Sequence, residues 1–218
     1  MATRSHFDKS LLKLTEKIEN MAEQANNALS QSVESLKTLD KNLAQKVIDN
    51  DQHINEIEKD INELAISTIL KEQPVAHDLR KVIVALKISS DIERIADLAV
   101  NVSKSVKFIE EPLVKPLLHI PEMADITLSM LSDALLAFHN EDTASAHQIA
   151  KRDDEVDNLM RIVVDELMNE AVNKPEHVNQ ITQLAFVARY LERAADHVTN
   201  ISENILYLVK GERFDLNL

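Results

Sequence analysis

Cysteine is absent from this chain of 218 residues, so disulfide bonds and thiolate metal sites are excluded. The sequence contains only one glycine and five prolines, which leaves too little turn chemistry for a sheet protein. Alanine, leucine, isoleucine, glutamate and lysine are abundant instead, and these residues favour helices. We therefore predict an all-helical protein.

Long apolar runs are also missing, since no window approaches 18 uninterrupted apolar residues. The first residues lack the charged-then-apolar pattern of a signal peptide. We expect a soluble, cytoplasmic protein without membrane insertion. A formal net charge of −13 and the lack of a basic, aromatic-rich strip argue against nucleic acid and favour a cation or a partner with a basic face.

Apolar residues recur at helical spacing along nearly the whole chain, interrupted by prolines at three places. The third and sixth helices carry the most regular stripes, with apolar residues spaced alternately four and three apart, as in a coiled-coil seam. The pattern predicts six helices: Phe7 to about Leu39, a second one capped by Asp40 to about Leu70, about Val75 to Ile109, about Pro121 to Phe138, Asp142 to Val172, and Glu176 to Lys210.

The second half of the chain repeats the first. Residues of the first two helices recur 102 positions later, and those of the third helix recur 99 positions later. Three prolines between residues 112 and 121 mark the boundary between the halves. Three amphipathic helices are the smallest set that closes a core, so we predict two tandem, internally duplicated three-helix bundles, at residues 1–113 and 114–218.

The repeat includes an oxygen-rich ladder on each seam helix. Residues four apart lie one turn above each other on a helix. The two ladders, predicted to face outward from the seam, are Glu93, Asp97 and Asn101 in the first half, and Glu192, Asp196 and Asn200 in the second.

A solvated helix face is one interpretation of these ladders, because Arg94 and Arg193 could each pair with the aspartate three residues later. The repetition of the ladders favours a different interpretation. Like charges four residues apart oppose helix formation by roughly 0.2 to 0.5 kcal/mol per pair. Both halves nevertheless keep the carboxylate pair, although the residues around it differ. A bound cation would explain why.

Carboxylate and amide oxygens are hard ligands that suit magnesium, manganese, iron or calcium. The second helix of each half offers further candidate ligands. Asp153 and Asp157 lie four apart and correspond to Asp51 and Asn55. Spacing alone leaves open whether they face the ladders. His197 adjoins Asp196 and could assist as a ligand, but Leu98 occupies its place in the first half, and a lone helical histidine is more often a surface residue than a ligand.

Enzymatic motifs are missing. No histidine follows a glutamate at the spacing used by di-iron carboxylate bundles, and the chain has neither a Gly-x-Ser-x-Gly nucleophile motif nor a glycine-rich phosphate loop. We predict a protein that is not an enzyme.

The doubled Glu-Arg-x-x-Asp motif closely resembles the PhoU family of phosphate-specific transport accessory proteins. The resemblance rests on Asp91-Ile-Glu-Arg-Ile-Ala-Asp-Leu-Ala-Val-Asn101, on Pro74-Val-Ala-His-Asp-Leu-Arg80 before it, and on the run from Phe186 to Ile205 with Gly211-Glu212 after it.

The resemblance implies six helices in two bundles, a homodimer, and clusters of iron, zinc or another divalent metal such as manganese or magnesium. The ligands implied are Glu93, Asp97, Glu192 and Asp196, with Asn101 and Asn200 nearby and Asp51, Asp153 and Asp157 on the second helices.

The family resemblance also implies a negative regulator of the phosphate-starvation response. Such a regulator links the ATPase of a phosphate ABC transporter to a PhoR-type sensor histidine kinase. A metal-buffering or purely structural helical protein without a signalling partner is the alternative.

Overall fold

The computed structural model describes residues 2–110, 112–117 and 119–216, with side chains from His6 onward. Six long helices account for most of this part of the chain, and it contains no strand, which confirms the all-helical prediction. The helices are α1 (Ala2–Thr38), α2 (Lys41–Glu72), α3 (Ala76–Phe108), α4 (His119–Asn140), α5 (Thr143–Asn173) and α6 (Val178–Lys210), with a short 3₁₀ turn at Pro175–His177 before α6.

The same local signal begins the second helix of each half. The Asp40 carboxylate accepts the backbone N–H groups of Asn42 and Leu43 at 2.9 and 3.0 Å. The Asp142 carboxylate accepts those of Ala144 and Ser145 at 2.9 and 3.2 Å. Each aspartate thus satisfies two N–H groups that have no partner within the helix.

The ends of the helices also follow local chemistry. Gln73 ends α2 and Gly211 ends α6, both in the left-handed conformation with φ of 48° and 75°. Pro121 lies inside the first turn of α4, where its missing N–H costs no helical hydrogen bond, so the helix begins two residues before the predicted start.

The three helices of each half pack together, and the halves meet through α3 against α6 and α1 against α4. Corresponding helices therefore contact each other, which is the arrangement of a two-fold axis within one chain. The predicted seams of α3 and α6 are fully buried, from Ile88 to Ile109 and from Val187 to Leu208.

Residues of all six helices contribute to one continuous hydrophobic core. Residues 109–117 connect the two bundles, and the boundary predicted between residues 113 and 114 lies in this connection and stays a prediction. None of the described helices combines the length and apolar character needed to cross a membrane.

Candidate metal-binding clusters

The first half brings three predicted site residues together between α2 and α3. We call Asp51 of α2 with Glu93 and Asp97 of α3 the first acidic cluster. Asp51 accepts a hydrogen bond from the Asn55 amide at 3.2 Å. Arg94 contacts the other two carboxylates, at 3.3 Å from Glu93 and 3.0 Å from Asp97. One guanidinium thus balances only part of the negative charge.

Burial and mutual repulsion raise the pKa values of this cluster. The pKa of Asp51 is raised first by burial and then by the charge of Asp97. The pKa of Glu93 is raised by burial, by Asp97 and, more weakly, by Glu58 and Asp51. Asp51 therefore faces the ladder across the groove between α2 and α3.

The second half builds the corresponding group from four carboxylates. We call Asp153 and Asp157 of α5 with Glu192 and Asp196 of α6 the second acidic cluster. Glu192 is only 7% exposed. Its carboxylate pairs with Arg189, one turn earlier on α6. Here the arginine of the ion pair precedes the glutamate, whereas Arg94 follows Glu93.

Asp153 carries the strongest perturbation. Burial, together with the charges of Asp196 and Asp157, raises the pKa of Asp153 to about 7. The pKa of Glu192 is raised by burial and by Asp196, and that of Asp196 by burial and by Asp157. Carboxylates on both helices thus act on one another, so α5 and α6 contribute to one site.

Unpartnered oxygen atoms show what the clusters can bind. Asp51 Oδ1, Asp153 Oδ1 and Glu192 Oε2 are all buried without a hydrogen-bond partner. A buried carboxylate oxygen without a partner is unfavourable, and a hard cation is the kind of ligand that satisfies it. Asp51 and Asp153 correspond in the repeat, so the same oxygen is left unpartnered in both halves. These residues fit a divalent metal ion.

The side chains do not yet converge on one point. Within the residues that the structure describes, no three His, Asp or Glu side chains form a group close enough to hold a metal ion. The negative carboxylates of each cluster repel one another and so stay apart. Metal binding at either cluster therefore requires carboxylates on the two facing helices to rotate toward a common centre.

The two ladder asparagines differ in their surroundings. The Asn200 amide donates to Asp91 of α3 at 3.3 Å, and His197 Nδ1 lies 3.0 Å from the same carboxylate. This part of the second ladder therefore joins α6 to α3. Asn101 is half-buried near the end of the first ladder. Whether either amide binds a metal stays a prediction.

The prediction that the ladders face outward is wrong. Glu192 is buried, and the side chain of Glu93 is 16% exposed. The physical reason is that α3 and α6 are the central helices of the molecule. Each is covered by a neighbour on the side away from its seam, by α2 and α5 respectively. The ladders therefore line grooves between helices.

Two basic residues near the clusters were not predicted from the sequence. Arg189 pairs with Glu192, although its counterpart in the first half is Ser90. Lys104 lowers the pKa of Asp51 by its charge, but its counterpart is Glu203. Neither residue is repeated in the other half of the chain. Repetition was the only feature within the sequence that indicated which polar residues belong to a site. Lys104 lies three residues after Asn101 and Arg189 three residues before Glu192, so helical spacing places each beside a ladder, but without repetition it singles out neither.

The described structure is an all-helical protein of two repeated three-helix bundles, with a partly buried carboxylate cluster between the second and third helices of each. The PhoU domain model matches the chain twice, at residues 18–106 and 120–205. The chain therefore belongs to the PhoU family.

Curated relatives and solved structures resemble the chain over almost its whole length. A protein of Clostridium acetobutylicum named "Phosphate-specific transport system accessory protein PhoU homolog" is 35% identical, covering 99% of both chains. A protein of the same name from Rhizobium meliloti is 36% identical and covers 95% of this chain and 88% of its own.

Crystal structures of PhoU proteins share the fold. The phosphate transport system regulatory protein PhoU from Streptococcus pneumoniae superimposes with a TM-score of 0.91 at 28% identity, covering 96% of this chain and 99% of its own. PhoU from Pseudomonas aeruginosa gives a TM-score of 0.90 at 28% identity, covering 94% and 100%.

Proposed function

We propose that this protein is a cytoplasmic, non-enzymatic adaptor that binds divalent metal ions at its two acidic clusters and regulates phosphate uptake. The observation that carries the metal part is the repeated, buried Asp51 and Asp153 oxygen without a partner. Iron, zinc, manganese and magnesium are the candidate ions, held by the carboxylates of each cluster. The bound metal would neutralise the concentrated negative charge and tie α2 to α3 and α5 to α6.

Membership of the PhoU family supports the phosphate part of the proposal. The relatives carry the name of a transport accessory protein, and the Streptococcus pneumoniae structure is named a regulatory protein. We extend these descriptions to this chain. In the proposed role it represses the phosphate-starvation response by linking the ATPase of a phosphate ABC transporter to a sensor histidine kinase. The homodimer implied by the resemblance stays a prediction.

Calorimetric titration of chelator-treated protein with Mn²⁺ tests the metal sites. Glu93→Ala with Asp97→Ala removes the first cluster, and Glu192→Ala with Asp196→Ala removes the second. We expect each double variant to lose one set of sites and keep the other, because the clusters lie in different halves.

A matched control removes Glu19 and Glu23, which are exposed and also four apart on α1. This variant should bind as the native protein does. Equal binding by all variants would contradict the assignment of the metal to these clusters.

Cells without the protein test the regulatory role. Under abundant phosphate they should derepress the phosphate-starvation genes and lose control of phosphate uptake, and the native gene should restore both. Normal repression together with normal uptake would contradict the adaptor role. Metal binding without those effects would favour the metal-buffering or structural alternative.

Co-purification distinguishes the same alternatives from the partner side. An adaptor should retain the purified transporter or kinase on an affinity column in detergent, whereas a metal-buffering protein should retain neither.

A further inference from the structure

Two pairs of large apolar side chains lie exposed on the last turns of α2 and α5. Ile66 and Leu70 are 54% and 72% exposed, and Met168 and Val172 are 48% and 80% exposed. Each residue of the second pair lies 102 positions after its counterpart. Isolated exposed apolar residues are ordinary on protein surfaces. The same pair at the same place in both halves needs a separate explanation.

Two charged residues precede each apolar pair on the same helix face. Positions separated by four, three and four residues lie along one side of a helix. All members are exposed. The α2 stripe is Lys59, Glu63, Ile66 and Leu70, and the α5 stripe is Arg161, Asp165, Met168 and Val172. Both stripes present a basic, an acidic and two apolar side chains in the same order.

The rest of this surface has diverged. When residues 41–72 are compared with residues 143–174, only Ala44 and Asp51 recur unchanged. Exposed positions outside the stripes change their chemical class: Asp49 corresponds to Lys151, His53 to Glu155 and Asp60 to Ile162. Four exposed positions along one helix face that all keep their chemical class are therefore an exception on these helices.

Contacts within the protein do not account for the charged positions. Lys59 and Glu63 have the spacing of a helical ion pair, as do Arg161 and Asp165. In the described part of the chain, none of the four forms an ion pair or a side-chain hydrogen bond, unlike the nearby Asp60, which pairs with Lys17 at 2.8 Å. Their charges remain available to another molecule.

We propose that the α2 and α5 stripes are docking surfaces for a homodimeric partner that presents the same amphipathic helix twice. The complementary helix carries an acidic residue facing Lys59 or Arg161, a basic residue facing Glu63 or Asp165, and apolar residues against the exposed pair. An apolar centre with flanking opposite charges provides both affinity and register. The inference rests on the proposed adaptor role and adds the surface and the partner's symmetry.

Charge complementarity favours a different chain over a second copy of this one. In a parallel pairing of two such stripes, lysine would face lysine and glutamate would face glutamate. An antiparallel pairing over the whole stripe would place Lys59 against Leu70 and Glu63 against Ile66. Neither arrangement matches charge with opposite charge along the stripes.

The symmetry of the partner follows from the symmetry of the fold. Corresponding helices of the two halves contact each other, so an internal two-fold axis relates the stripes. A partner with its own two-fold axis can align with this axis and present one helix to each stripe. Engagement at two sites strengthens binding through high effective concentration, by roughly 10² to 10⁴.

Photo-crosslinking in cells tests the surface directly. A photoreactive residue replaces Ile66 or Met168 in the full chain. Leu136 on α4 is the matched control, because it is 63% exposed and its counterpart is Glu34. We expect Ile66 and Met168 to crosslink to the same protein and Leu136 to leave it unlabelled. Native mass spectrometry of the complex should show two copies of that protein for each copy of this chain.

Charge reversal tests the proposed complementarity with the protein identified in that way. Glu63→Lys and Asp165→Lys should each weaken its binding at least about tenfold, and both together should weaken it further. Leu136→Glu should leave binding unchanged. Circular dichroism confirms that each variant remains helical.

Several outcomes would overturn the docking inference: different partners at the two positions, crosslinks only to a second copy, no crosslink, or unchanged binding by both charge-reversal variants. If the transporter and the kinase both bind normally to those variants, the adaptor role stands and the stripe inference fails. If both stripes bind one homodimer that is neither the transporter nor the kinase, the stripe inference stands and the proposed partners are wrong.

Discussion

Asp153 occupies an unfavourable position for a charged carboxylate in the second acidic cluster. Its carboxylate is partly buried, one of its oxygens has no partner, and Asp196 and Asp157 repel its charge. The folded protein therefore favours the protonated acid, whereas a metal ion requires the carboxylate. A residue kept under this strain in both halves, as Asp51 and Asp153, is better explained by a ligand than by stability.

The pH dependence of stability follows from the raised pKa of Asp153. This group titrates near 3.9 in an unfolded chain and at about 7 in the folded protein. Between these values the folded state binds the proton more strongly, so the free energy of unfolding falls as the pH rises and levels off above about 7.

In chelator at about pH 8, Asp153→Asn should raise the free energy of unfolding by at most about 4 kcal/mol. Near pH 4 the gain should disappear, because the native carboxyl is then protonated as well. Thermal denaturation followed by circular dichroism measures both. The exposed neighbour Asp154 provides the control Asp154→Asn. An equal effect of the two substitutions, or a loss of stability in Asp153→Asn, would contradict the assignment.

At the scale of the helices, the repeated cap residues define where the second helix of each half begins. Leu39 and Glu141 both have positive φ values, of 52° and 51°, and precede the capping Asp40 and Asp142. The tight connections between α1 and α2 and between α4 and α5 are therefore built in the same way. The sequence predicted the Asp40 cap because this aspartate precedes an apolar periodic segment, and the repeat predicted that the corresponding helix begins at Asp142.

Removing a cap should lower stability by a predictable amount. Asp142→Ala leaves the N–H groups of Ala144 and Ser145 without their acceptor and should cost about 1 kcal/mol. Urea denaturation measures the change, and Asp142→Asn should recover most of it because the amide oxygen still accepts hydrogen bonds. A full loss in the asparagine variant would show that charge, not capping, stabilises this turn.

Gln180 connects α6 to the segment between the bundles. It is 8% exposed, its amide oxygen accepts the Val114 N–H at 2.6 Å, and its amide nitrogen donates to the carbonyl oxygens of Glu110 and Pro112 at 2.8 and 3.2 Å. One side chain thus satisfies three backbone groups of an irregular segment.

Gln180→Ala should destabilise the protein by roughly 1–3 kcal/mol, since it leaves those backbone groups without their partner. Amide hydrogen exchange should rise first in residues 112–117, before α3 or α6 is affected. Gln183→Ala, one turn further along α6, serves as the control. Unchanged exchange in the connecting segment would contradict the role assigned to Gln180.

At the scale of the whole molecule, the sequence was most informative where periodicity and repetition acted together. The six helices, the buried seams and the correspondence of Asp51 with Asp153 in the repeat were all predicted from them. The orientation of the ladders did not, because it depends on α3 and α6 lying at the centre of one shared core. Local spacing places Glu192 on a helix face but cannot show which helix covers that face.

Contacts between the two halves could not be predicted from the sequence either. Asp91 meets His197 and Asn200 across the α3–α6 packing, although Asp91 corresponds to Tyr190 and His197 to Leu98. The corresponding residues of the other half cannot form the same contact, so the internal comparison could not reveal it. The repeat identifies what the halves share, and the structure is needed for what joins them.

Metal content tests the central claim most directly. Mass spectrometry of protein purified without an affinity tag should detect a divalent metal in the native chain. The variant with Glu93, Asp97, Glu192 and Asp196 changed to alanine should lose it while remaining helical. The control variant lacking Glu19 and Glu23 should keep it. Equal trace amounts in all three proteins under metal-supplemented growth would contradict metal binding, and the clusters would then be better explained as a docking surface.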